Sequence, residues 1–171
     1  MDKTLCALLI LLASGAATAD PAPFGLELGS TTQGEAGVRY LLHPAGLNAL
    51  TLGEQFELDG RQLPVAGLKT VTLVFGVDRR LLAVVADVAP DRYAALYALL
   101  AGKYRPVASA GPGNGDRFAR FLDGDSEIVL TGPSGGADLK LSYVHRRFSK
   151  MVQERRGRAA EERRSGEAAQ L

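Results

Sequence analysis

The chain has one cysteine and two histidines, the side chains that most often provide nucleophiles or transition-metal ligands. Cys6 lies in an apolar N-terminal stretch, and His43 and His145 are about a hundred positions apart. A zinc site usually takes three or four His, Cys or carboxylate ligands at defined spacings. The sequence therefore predicts no metal centre, although the fold could still bring the two histidines together.

The stretch LDGDSE, residues 122–127, gathers Asp123, Asp125 and Glu127, whose oxygens suit a hard cation. An EF-hand loop needs more ligands, a glycine at its sixth position and a distal glutamate, and these are not arranged here. Asp followed by Gly between two apolar runs is also a strong hairpin signal. We therefore interpret this stretch as a hairpin turn without a metal ion.

Three glycine-rich stretches could in principle surround a ligand. In PFGLELGSTT, residues 23–32, the two glycines are one residue too close for a phosphate loop, and the lysine of that motif is missing. We expect a short edge strand over 24–28 that turns at Gly29 into a capped helix. GPGNGD at 111–116 and GPSGG at 132–136 match no dinucleotide fingerprint and are predicted to be exposed loops. They would form a pocket mouth if the protein binds a small ligand.

No signature of nucleophilic catalysis stands in its required context. S-x-x-K is absent, and GPSGG at 132–136, which fits the spacing G-x-S-x-G, is predicted to be a loop between strands rather than the strand-to-helix turn of that motif. A catalytic triad can still be assembled in space from distant residues. The sequence predicts a protein that is not an enzyme, with no catalytic residue and no cofactor, and an enzyme of unrecognised type is the least favoured alternative.

Residues 1–19 have the pattern of a secretory signal peptide. An almost entirely apolar run fills 4–12, and the small-x-small sequence ATA precedes Asp20. The run is too short for a membrane-spanning helix, and Cys6 lies inside it without a lipoprotein cleavage site. We expect a mature chain that begins near Asp20, contains no cysteine and resides in a bacterial periplasm, or is secreted.

The chain after the signal divides into one α+β domain, 20–145, and a charged tail, 146–171. The spacing of Thr32 and Glu35 is that of a capping box at the start of a short helix. A second helix begins at Pro90, where Tyr93, Leu96 and Leu100 share one face. Predicted strands, several with apolar residues at every second position, are 54–59, 69–75, 81–88, 117–122, 126–131 and 139–143.

The pattern of helix, strand, strand, strand occurs twice, over 30–88 and 90–145. This recurrence predicts a tandem repeat that forms one continuous antiparallel sheet with helices on one face. The class is α+β rather than α/β, because the strands occur in runs.

The tail concentrates positive charge, with eight Lys/Arg and four Glu over 146–171, whereas 20–145 carries a net charge of −3. We expect one or two helical turns around Phe148, Met151 and Val152 to dock, and the rest to fray. Two alternatives remain: a solvated tail, or a weak electrostatic tether to anionic lipid, lipopolysaccharide or an acidic partner. Nucleic acid is not an expected partner. The candidate interaction residues are Arg146, Arg147, Lys150, Arg155, Arg156, Arg158, Arg163 and Arg164.

The opening FGLELGSTT, together with LKTVTLVFGVDRRLLAVVADV and the helix after it, resembles a group of uncharacterised proteobacterial exported proteins. Its FG-x-x-LG-x-[ST] start is also distantly similar to SmpA/OmlA and β-lactamase-inhibitor-like modules. The resemblance implies a small α+β protein that acts by contacting other proteins. The expected function is a non-catalytic periplasmic module that binds a protein or another envelope component, and the alternative is a small-ligand-binding periplasmic protein.

Overall fold

The computed structural model describes residues 20–110 and 116–168, with side chains as far as residue 166. The predicted signal peptide, 1–19, and residues 111–115 of one glycine loop lie outside this part. The helices are α1 Gln33–Arg39, α2 Tyr93–Lys103 and α3 Arg146–Ala168. The strands are β1 His43–Leu47, β2 Leu52–Asp59, β3 Leu68–Gly76, β4 Leu81–Val88, β5 Arg105–Ala110, β6 Arg117–Asp123, β7 Ser126–Gly132 and β8 Leu139–His145.

All eight strands form one antiparallel sheet in the order β1-β2-β3-β4-β8-β7-β6-β5. Strands β1 to β4 form one meander and β5 to β8 a second, and the two meanders join where β4 pairs with β8. The turns β1–β2, β3–β4 and β6–β7 lie at one end of the sheet, which we call the upper end. The predicted α+β class and antiparallel sheet are confirmed.

Two strands were missed, so that four strands rather than three follow each of α1 and α2. Strands β1 and β5, HPAGL and RPVASA, lie at the two edges of the sheet, and all their residues are exposed. An edge strand that buries neither face has no reason to alternate apolar and polar residues. Proline is tolerated there because an edge strand leaves backbone donors unused.

The main core lies between one face of the sheet and helices α1 and α2. On this face Phe56 and Phe75 meet edge to face at 5.9 Å, and Phe121 packs against Tyr97 of α2 at the same centroid distance. The N-terminal segment contributes Leu26, whose side chain is completely buried. This segment therefore belongs to the body of the fold.

The capped helix predicted after Gly29 is present, and the edge strand predicted before it is wrong. The backbone N–H of Glu35 donates to Thr32 Oγ1 at 3.3 Å, and the Thr32 N–H donates to Glu35 Oε2 at 2.7 Å. Before Gly29, Pro23–Gly25 forms a 3-10 turn, with a φ of 57° at Phe24. Such a turn cannot pair in a strand, and it directs Leu26 into the core.

Helix α3 packs against the face opposite α1 and α2, so the prediction of helices on one face applies to the first two only. Val74 and Ala83 point away from the main core, yet they are only 4% and 1% exposed. Helix α3 contacts β4 and β8 and covers this upper end of the face. It continues to Ala168 through Gly157, well past the one or two turns predicted. In the part of the chain that the structure describes, no helix has the length and apolar character needed to cross a membrane.

Candidate functional site

All eight basic residues of the candidate interaction site lie on α3, which spans about 35 Å at 1.5 Å per residue. Its first turns are attached to the body through Phe148, Met151 and Val152, all half-buried. In the remainder, 155–166, only Ala159 is half-buried and every other side chain is exposed. We call 155–166 the distal segment of α3. The sequence places an apolar docking turn at the start of the helix and leaves the distal segment in water.

Two arginines attach α3 to turns at the upper end of the sheet. Arg147 Nη2 donates to Asp78 Oδ2 in the β3–β4 turn at 2.8 Å, and Arg155 Nη1 donates to the Ala49 carbonyl oxygen in the β1–β2 turn. Burial raises the pKa of Asp78, but hydrogen bonds from the Arg147 side chain and the Arg80 backbone outweigh it and hold that pKa below its ordinary value. The carboxylate is therefore charged at neutral pH and orients the helix.

We expect the Asp78–Arg147 pair to stabilise the fold fully above about pH 4 and progressively less below it. The pKa of Asp78 is lower in the folded chain than its ordinary 3.8, so this stabilisation is present at neutral pH and is lost as the pH falls through the folded-state pKa. The free energy of unfolding of Asp78→Asn, measured by thermal unfolding, should be lower than that of the wild type by at most about 1 kcal/mol at pH 7, because the pair is partly exposed.

The stability difference between Asp78→Asn and the wild type should shrink as the pH falls below 3.8, because the wild-type carboxyl then becomes protonated as well. Glu54→Gln, an exposed substitution on β2, is the matched control and should change little at any pH. A deficit of Asp78→Asn that persists unchanged at pH 2 would contradict the assigned ion pair.

The distal segment has five arginines and two glutamates, a net charge of +3. Arg164 pairs with Glu161 at 2.9 Å, and Arg163 donates to the Ala159 carbonyl oxygen of its own helix. Among the described side chains, Arg156 and Arg158 form no ion pair. The distal segment therefore presents uncompensated guanidinium groups, which bind carboxylates with two parallel hydrogen bonds.

The basic residues nearer the body are engaged with neighbouring groups. Arg146 pairs with Asp125 at 2.9 Å, and Lys150 lies 3.9 Å from Glu154. Arg158 borders an open groove of about 560 Å³ between α3 and the β1–β2 turn, where Leu52 is 68% exposed. The eight predicted residues thus divide into Arg146, Arg147 and Lys150 near the body and the five arginines of the distal segment, of which Arg155 also contacts the body.

A second candidate site is a cleft of about 700 Å³ at the lower end of the sheet. Ser134 N donates to Asp116 Oδ1 at 2.7 Å, so described residues of both glycine loops meet at its rim. Its walls include Arg117 and Phe118. The cleft combines an aromatic wall with charged groups of both signs.

Two lysines in or beside this cleft are already paired with carboxylates. Lys140 Nζ lies 2.5 Å from Asp87 Oδ1, and Lys69 Nζ lies 2.6 Å from Asp138 Oδ1. Arg117 stacks over the Tyr93 ring at 4.6 Å. A charged ligand would have to displace these contacts, so the cleft favours a neutral or zwitterionic molecule.

A third cluster lies at the upper end, where Asp20, Asp125 and His145 have ligand atoms within 4.8 Å of one another. The Asp125 N–H and the Ser126 hydroxyl donate to Asp20 Oδ1 at 2.8 and 3.0 Å. His145 Nε2 lies 3.5 Å from Asp20 Oδ2, and the imidazole is almost completely buried. His43 lies on β1, four strands from β8, so the fold does not bring the two histidines together.

The hydrogen bonds of His145 indicate an anchor for Asp20 and argue against a metal site. The backbone N–H of Arg147 donates to His145 Nδ1 at 3.2 Å, which places the proton of a neutral ring on Nε2, facing Asp20. A metal ligand at Nε2 would need its lone pair there and a proton on Nδ1. Asp125 is in addition paired with Arg146. Its neighbour Glu127 is paired with Arg120 at 2.7 Å.

The two short stretches that suggested ligand sites have structural roles. Gly124 has a φ of 52° in the β6–β7 turn, where Asp123 pairs with Ser126, so LDGDSE is the predicted hairpin. In PFGLELGSTT the N–H of Gly29 donates to the Leu81 carbonyl oxygen at 2.7 Å and is not available to a phosphate. A Cβ on Gly29 would lie 2.8 Å from His145 Nε2, so this glycine permits close packing.

Searches against protein-family models, curated proteins and solved structures found no match to this chain. The fold and the three candidate sites therefore provide the basis for a functional proposal.

Proposed function

We propose that this protein is a non-catalytic interaction module of the bacterial envelope, and that the distal segment of α3 binds an acidic surface on a partner protein. The observation that carries the proposal is the contrast within α3. Its first turns are half-buried against the sheet, whereas 155–166 is exposed and carries a net charge of +3.

Burial cannot explain why the helix continues beyond its docking turn. A helix that is polar on all sides gains little from the hydrophobic effect, and Gly157 and Gly166 each cost about 1 kcal/mol relative to alanine. The contacts of Arg147 and Arg155 nevertheless hold the helix in a defined direction. A preoriented basic helix reduces the ordering cost of binding an acidic partner.

The proposal includes export to the periplasm and a tandem origin of the fold. Export rests on the signal-like pattern of 1–19 and on a mature chain without cysteine. Duplication is supported by the order of helix and four strands, which occurs twice, and by the pairing of the last strands of the two meanders, β4 and β8.

The test is a crosslinking pull-down from an envelope extract with two chains, one ending at residue 171 and one ending at Val152. The shorter chain keeps Phe148, Met151 and Val152 and so keeps the covered face of the sheet. We expect a specific protein to be captured by the longer chain and lost with the shorter one, and capture to weaken at high salt because exposed charges are screened.

Equal capture by both chains would place recognition on the body and overturn the role of the distal segment. Retention on anionic vesicles without any captured protein would replace the partner protein with a lipid surface. No specific capture in any sample would overturn the interaction hypothesis.

A second candidate function is small-ligand binding, which the cleft at the lower end favours because Asp116 of one glycine loop meets Ser134 of the other there. Native mass spectrometry of protein purified from its own host should then detect a stoichiometric small molecule. Phe118→Ala, which removes an aromatic wall of the cleft, should abolish that mass shift.

A further inference from the structure

Asp20 is held firmly against the upper end of the sheet. Asp20 accepts two hydrogen bonds from the β6–β7 turn and faces the buried His145. Pro21, directly after it, is buried. A residue that only links the body to a removable leader needs none of these contacts. They therefore indicate that Asp20 has a structural role in the processed chain.

The charges around Asp20 do not balance without an additional cation. Asp20 and Asp125 each contribute a carboxylate, and Arg146 pairs with Asp125. His145 is neutral in the tautomer described above, and the nearby Glu127 is neutralised by Arg120. One negative charge is therefore left over in a partly buried site.

We propose that proteolytic cleavage between residues 19 and 20 supplies the missing cation, as the new α-ammonium group of Asp20, and that this group binds the Asp125 carboxylate. This inference rests on the export part of the proposed function. Water hydrolyses the peptide bond, which leaves a carboxyl group on Ala19 and an amine on Asp20. The amine takes up a proton at neutral pH, since an α-amino group has a pKa of about 7.7–8.0.

The covalent geometry of Asp20 makes this pairing accessible. The α-nitrogen is three bonds from the carboxyl carbon of the same residue, and an oxygen of that carboxyl lies within 4.8 Å of an Asp125 ligand atom. In an unprocessed chain the same nitrogen is an uncharged amide. Cleavage thus converts the upper end of the sheet into a closed network of Asp20, Asp125, His145 and Arg146.

The test compares the thermal unfolding of a chain that begins at Asp20 with one that keeps residues 17–19. At pH 6.5 we expect the chain beginning at Asp20 to have a Tm higher by roughly 1–4 °C, the shift that an added ion pair of about 0.5–1 kcal/mol produces in a domain of this size. Pairing raises the pKa of the amine, so the advantage is present below about pH 8 and is lost as the amine deprotonates towards pH 10.

Two substitutions make the result specific. Asp125→Asn should abolish the Tm difference between the chains, whereas Asp123→Asn, in the same turn, should preserve it. Equal Tm values at pH 6.5, or a difference that survives Asp125→Asn, would overturn the inference. The outcome of the pull-down does not depend on this Tm difference. A negative result for the pairing of the Asp20 ammonium group can therefore be distinguished from a negative result for the interaction hypothesis.

Discussion

Replacing Phe121 with alanine is expected to destabilise the protein by about 3–5 kcal/mol, the range typical of removing a fully buried aromatic ring. Phe121 is completely buried on β6 and packs against Tyr97 of α2 at 5.9 Å. Its loss leaves a cavity between the second meander and its helix. Urea denaturation monitored by circular dichroism measures the change.

Phe118→Ala is the matched control, because Phe118 lies on the same strand, half-buried at the lower cleft. We expect it to lower the free energy of unfolding by less than about 1.5 kcal/mol, as is usual for substitutions outside the core. Similar costs for the two substitutions would contradict the assignment of the main core to the α1 and α2 face.

Reversing two charges on the distal segment is expected to reduce partner capture at least tenfold at low salt. Arg156 and Arg163 are seven positions apart and so lie on nearly the same face of α3. Changing both to glutamate replaces two attractions to an acidic partner with two repulsions, which at about 0.5–1 kcal/mol per exposed contact amounts to a tenfold loss or more. Quantitative crosslinking with the captured protein gives the measurement.

Lys103→Glu with Arg105→Glu is the control, because it changes the net charge by the same amount at exposed positions at the end of α2 and the start of β5. We expect capture by this variant to remain near the wild-type level. Equal losses in the two variants would mean that overall charge, rather than the distal segment, governs binding.

The strands that bury one face were predictable, and those at the edges were not. In β3 and β8 an apolar residue at every second position follows from a core on one side, as for Leu139, Leu141 and Tyr143. Strand β1 has five exposed residues and is fixed by pairing with β2, an interaction between backbones that leaves no pattern in the side chains. The same holds for β5.

The composition of the tail indicated the candidate site, but its geometry depends on contacts between distant residues. Arg147 and Asp78 are 69 positions apart, and Arg155 and Ala49 are 106 apart. No local pattern encodes such pairs, so the length of α3 was underestimated. The Asp20 anchor was missed for the same reason, because only the fold brings β8 to the N-terminal segment.

Site-specific photocrosslinking in the native host tests the interaction hypothesis most directly. A photoreactive residue is placed at Ala160, exposed on the distal segment, or at Ala66, exposed in the β2–β3 connection at the opposite end of the sheet. We predict a covalent adduct with one protein from position 160 and none from position 66. Adducts from position 66 alone, or none from position 160 while the variant is folded and present, would contradict binding through α3.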